Sequence, residues 1–97
     1  MLQFALNSAS EATLTSVDRQ LEDTIRANLE QEFPDAALQV VVEGNRCLVR
    51  VVTDEFEGVL RVRREQRVYR CLTELMASGE LHAVTIQAKT SNEASSE

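Results

Sequence analysis

The sequence predicts a small α/β (α+β) domain in the order helix, strand, strand, helix, strand, with a three-stranded mixed sheet carrying both helices on one face. Three observations predict it. Apolar residues recur at three- and four-residue steps in two separate stretches, they alternate in three shorter runs, and a Gly44-Asn45 pair divides the first two of those runs. At 97 residues with 43% apolar and 27% charged side chains, the chain builds a single core. With 4% aromatic residues and no Trp, that core falls to Val, Leu, Ile and Ala.

Leu14, Val17, Leu21, Ile25 and Leu29 form the first helical stripe. Thr15 and Asp18 offer a capping box at its start, and Phe33 before Pro34 marks its exit because proline disfavours helical geometry in the preceding residue. From Leu38 the period becomes two, with Leu38, Val40 and Val42 on one side. Gly44-Asn45 supplies the positive-φ residues of a tight hairpin. Cys47 to Thr53 then returns with Cys47, Val49 and Val51 facing the core and Arg50 facing solvent. Asp54 to Leu60 reads as a connector with room for a helical turn.

Val62, Val68, Leu72, Leu75 and Met76 give a second stripe that runs to a glycine cap at Ser78-Gly79. Val84, Ile86 and Ala88 alternate in the last strand. A crossover helix between strands two and three makes that pair parallel, beside the antiparallel hairpin. Residues 1–12 and 91–97 are small and polar and read as flexible tails flanking a domain at 13–90, with a short edge strand through Leu2, Phe4 and Leu6 as the other reading of the first.

No apolar run reaches a membrane span and no signal peptide is evident, so the expected setting is cytoplasmic, without membrane attachment. The net charge of −6 repels polyanions over most of the surface, but Arg61, Arg63, Arg64, Arg67 and Arg70 are concentrated in one stretch. Cys47 and Cys71 lack the spacing of a zinc knuckle or redox motif. A lone histidine without a nucleophile elbow, and glycines that form no phosphate-binding run, argue against an enzyme.

His82, at the mouth of the last strand, is the first candidate for function. It fits a core-edge histidine satisfied by a carbonyl, and it equally fits a metal ligand. Cys47 would neighbour it if the two strand starts are level, although a packed thiol serves that position as well. The arginines place Arg63, Arg67 and Arg70 on one helix face with Arg64 beside it, forming either a phosphate-binding ridge or a solvated surface paired with Glu65 and Glu74.

The segments Thr53-Asp54-Glu55-Phe56-Glu57-Gly58, Arg61 to Tyr69, and Leu81 to Thr90 resemble the BolA family, closest to its IbaG-like branch. Helix one and the hairpin agree with it in order and length, so the resemblance spans 14–90. It implies a class II K-homology-like fold and a non-enzymatic role with a monothiol (CGFS) glutaredoxin, sharing a 2Fe-2S cluster with that partner and glutathione. The role lies in cluster assembly or trafficking, or in iron and stress regulation. In the family the histidine before the last strand is a cluster ligand, which maps onto His82. The second ligand comes from the hairpin loop, shortened here to Glu43-Gly44-Asn45-Arg46, so Cys47 is the nearest candidate. The family's acidic-aromatic end with Trp is replaced by Ser91 to Glu97. DNA binding through Arg61, Arg63, Arg64, Arg67 and Arg70 is the alternative the family implies, although no GxxG clamp is present. By itself the chain is expected to carry no cofactor and to be a monomer or weak homodimer.

Overall fold

A computed structural model describes residues 18–44 and 46–97. The expectations for the first tail, the Leu2-Phe4-Leu6 strand, the Thr15 cap and the Asn45 turn conformation lie outside the described residues. Helix α1 occupies 18–32 and is followed by strands β1 (Ala37–Glu43) and β2 (Arg46–Val52). A 3-10 turn (Asp54–Phe56), helices α2 (Arg61–Arg70) and α3 (Thr73–Ser78), strand β3 (Ala83–Lys89) and helix α4 (Ser91–Ser95) complete the order. The sheet runs β1-β2-β3, antiparallel then parallel, as the crossover argument required.

Register explains the core. Val40 faces Val49 and Val42 faces Cys47 across the hairpin, while Val49 faces Ile86 and Val51 faces Ala88 across the parallel pair. These residues share one face because side chains alternate along a strand. Against that face α1 buries Leu21, Ile25 and Leu29, and the following Phe33 is fully buried as well. Phe33 meets the equally buried Phe56 edge-on, with ring centroids 5.5 Å apart.

The Phe56-Glu57-Gly58 segment has a local explanation. Val59 N–H donates to the Phe56 carbonyl at 2.9 Å, Glu57 takes φ −56° and ψ 125°, and Gly58 takes φ 72°. That is a type II turn, whose third residue needs the positive φ that glycine adopts without strain. Phe56 anchors the turn in the core, and the chain leaves it directly into α2.

Two expectations need correction. The second helical stretch is not one helix, because α2 ends at Arg70 and α3 starts at Thr73. Between them Cys71 and Leu72 N–H groups bond three residues back, to Val68 and Tyr69, and Asn28 of α1 donates to the Cys71 carbonyl at 3.1 Å. The Thr73 hydroxyl takes the Arg70 carbonyl at 2.9 Å, so the interrupted ladder is satisfied. Val62, placed on the core stripe, is 56% exposed. The second correction concerns 91–97, read as a tail: Ser91–Ser95 is helical, with Thr90 and Glu93 forming a reciprocal capping box. Among the described residues no helix is long and apolar enough to cross a membrane.

Candidate functional site

His82 owes its position to the turn that ends α3. Gly79 adopts φ 86°, its N–H bonds the Met76 carbonyl at 3.2 Å, and the Glu80 N–H bonds Leu75 at 3.1 Å. This pair of bonds is the Schellman arrangement, which reverses the chain through a left-handed residue. Leu81 then drops into the core, 1% exposed, and β3 starts at Ala83. His82 is held between these two anchors and is itself exposed. A Cβ added to Gly79 would lie 3.9 Å from the His82 Nε2, so the imidazole rests beside the bare face of the glycine. The core-edge reading of this histidine does not match its exposure.

Cys47 lies at the same end of the sheet in a different environment. It faces Val84, two residues beyond His82, and is buried on the inner face. Burial, with the nearby Glu22 carboxylate adding to it, pushes the thiol up from 9.0 to about 11. The raised value and the burial both suit a thiol packed on the inner face of the sheet. Glu22 is fixed where it acts, accepting the Val42 N–H at 3.0 Å. Among the described residues no group of three or more His, Cys, Asp or Glu could hold a metal ion. An exposed imidazole fits one position of an iron-sulfur cluster completed by other molecules, since histidine is an accepted ligand of two-iron clusters.

The arginines divide. Arg67 donates to Glu32 at 2.8 Å and Glu55 at 2.9 Å, and its guanidinium lies 4.6 Å from the Phe33 ring centroid. Arg64 donates to the Val59 carbonyl at 2.8 Å and the Ala88 carbonyl at 3.2 Å, and grips Glu93 at 2.6 Å. Both are tied into the fold. Arg61, Arg63 and Arg70 are exposed, with Arg61 3.8 Å from Glu65. The expected single ridge of Arg63, Arg67 and Arg70 is therefore broken at its middle member, whose partners come from α1 and the 3-10 turn. Periodicity along one helix could not reveal those partners. The first turn of α2 holds no acidic residue, so Arg61, Arg63 and Arg64 oppose the helix dipole.

Comparison with known proteins places this geometry. The chain is 45% identical over 65 residues, 67% of its length and 78% of the relative's, to an uncharacterized protein in the rpoN-murA intergenic region of Acinetobacter guillouiae. It is 40% identical over 48 residues, 50% of its length and 57% of the relative's, to the acid stress protein IbaG of Escherichia coli K12. Its fold superposes on BolA1 from Arabidopsis thaliana with a TM-score of 0.67 at 29% identity, covering 74% of this chain and 93% of that one. The model of the BolA-like protein family matches residues 44–93, which take in the Gly58 turn, both central helices and the His82 strand. Because that match spans half the chain and is carried on the same fold, this protein belongs to the BolA-like family.

Proposed function

We propose that this chain is a non-enzymatic adaptor that docks a monothiol (CGFS) glutaredoxin and supplies His82 as its ligand to a 2Fe-2S cluster held jointly with that partner and glutathione. The observation that carries this reading is the exposed His82, fixed between the buried Leu81 and the first residue of β3. A ligand for a shared site must be reachable from outside and held in one place, and these anchors supply both conditions. The cluster would supply electron-transfer or iron-donating chemistry, which suits assembly, trafficking or iron and stress regulation. This chain's contribution is to present an imidazole nitrogen at a fixed point. Cys47 is packed on the inner face of the sheet while His82 is exposed, so in this reading the remaining ligands come from the partner and glutathione.

Mixing the chain with such a glutaredoxin, glutathione and iron should yield a heterodimer whose visible spectrum differs from that of the glutaredoxin homodimer. His82→Ala should abolish the difference, and Cys47→Ala should preserve it. A spectrum unchanged by His82→Ala would sink the ligand assignment.

The second reading is DNA binding through α2, favoured by the exposed Arg61, Arg63 and Arg70 and by an opening turn without an acidic residue. It expects duplex retardation that weakens steeply with salt and is lost in Arg63→Glu. Absence of retardation at low salt would exclude it.

A further inference from the structure

The outer face of the sheet gathers cations at the far end of β3 from His82. Arg50 of β2 pairs in register with Gln87 of β3, and Lys89 follows Gln87 by two, so all three project from the face opposite the core. Arg50 donates to the Gln87 Oε1 at 3.0 Å and grips the Glu97 carboxylate with both terminal nitrogens, at 2.7 and 3.2 Å. Lys89 Nζ pairs with the same carboxylate. Beside them Arg64 grips Glu93 at 2.6 and 3.3 Å. The two glutamates are not equivalent. Glu93 also accepts the Thr90 N–H at 3.0 Å and so caps α4, whereas among the described residues the Glu97 carboxylate is held by the two cations alone.

We propose that Arg50 and Lys89, with Gln87 orienting Arg50, form a recognition site for a carboxylate on an acidic segment of a partner protein, with Glu97 as its internal, displaceable occupant. The guanidinium fork already holds a carboxylate in two-point geometry, the arrangement arginine adopts with this group. The strands fix both cations, while the occupant follows a five-residue helix. Glu97 is exposed while Arg50 and Lys89 are half-buried, so an external carboxylate can reach the cations and compete for them. Toward the hairpin the same face offers Val41, 38% exposed, and the half-buried Leu48, an apolar strip on which the rest of such a segment would lie. Charge decides the occupant's class. A net charge of −6 disfavours a polyanion such as DNA, but a segment bearing a few carboxylates among apolar residues is tolerated.

The test uses the full chain and a fluorescein-labelled peptide carrying two glutamates among leucine and valine residues as probe, with a labelled DNA duplex in parallel. Glu97→Gln should bind this peptide about threefold to fivefold more tightly than the unaltered chain, the scale of one surface ion pair. Adding Arg50→Gln or Lys89→Gln to that variant should cancel the gain. Thermal melts followed by circular dichroism confirm that each variant is folded, and the Arg50 Nε–H resonance of the unaltered chain should shift as probe is added. Equal affinities in all variants, or an equal gain for the duplex, would overturn the proposal.

Discussion

At its start β3 emerges from the Gly79 turn beside an exposed His82, whereas at its end it runs into Thr90 and α4, where Arg50, Arg64 and Lys89 hold Glu93 and Glu97. The two ends of one strand are organised differently. The first end fixes a side chain through its backbone and leaves the functional group free, while the second neutralises nearly every charge it displays. Adjoining that second end, Phe33 and Phe56 lie beneath Arg67 and Arg64, so apolar packing and ionic contacts reinforce each other. Stability concentrates at one end and availability at the other.

The strongest challenge to this contrast is Phe56→Ala, which removes a fully buried ring from the tied end and should cost about 3 to 5 kcal/mol in denaturant unfolding. A loss below about 1 kcal/mol would mean that the ring packing does not hold that end. Gly79→Ala comes next. At φ 86° a Cβ strains the backbone, and the expected cost is roughly 1 to 2 kcal/mol, although the nearest atom at 3.9 Å leaves room for it.

A smaller effect is expected from acid. Hydrogen bonds from Arg50 and then Lys89 hold the Glu97 carboxyl at about 2, down from 4.5. Because the folded value is the lower one, the stabilisation is present above the unfolded value and is lost as pH falls from about 4.5 towards 2. Carbon-detected NMR of the side-chain carboxyl should show a midpoint near 2, rising in Arg50→Gln; an ordinary midpoint in the unaltered chain would mean the clasp is open in solution. His82→Ala should change stability least, by less than about 0.5 kcal/mol, because the ring is exposed. A larger loss would show that the free end also carries structural weight.

Periodicity made the sheet legible. Alternation from Leu38 onward assigned Cys47, Val49 and Val51 to the core, and the glycine cap at Gly79 was readable from Ser78-Gly79 alone. The break between α2 and α3 was not, because the Asn28 amide that takes the Cys71 carbonyl lies 43 residues away. Helix α4 did carry a local signal, since Thr90 three residues before Glu93 is a capping-box pattern; the small polar composition of 91–97 obscured it. For the candidate site, the sequence reached His82 as a singular residue at a strand mouth, but exposure depends on Leu81 turning inward. The burial of Cys47 and the capture of Arg67 by Glu32 and Glu55 arise from contacts between distant segments, which spacing within one element does not encode.

Arg64 and Glu22 share a consequence that concerns many copies of the protein rather than one. Among the described residues the sheet ends in β1 on one side and β3 on the other, and a sheet edge can template strands from another chain. The Lys89 carbonyl accepts the Thr53 N–H on the β2 side, so the neighbouring Ala88 carbonyl points outward, where the Arg64 guanidinium donates to it at 3.2 Å. On the other edge the Glu22 carboxylate covers the Val42 N–H at 3.0 Å. Each edge thus has one of its pairing groups stoppered by a charged side chain from a helix. Edge-to-edge addition at either of these positions must first displace that guanidinium or that carboxylate.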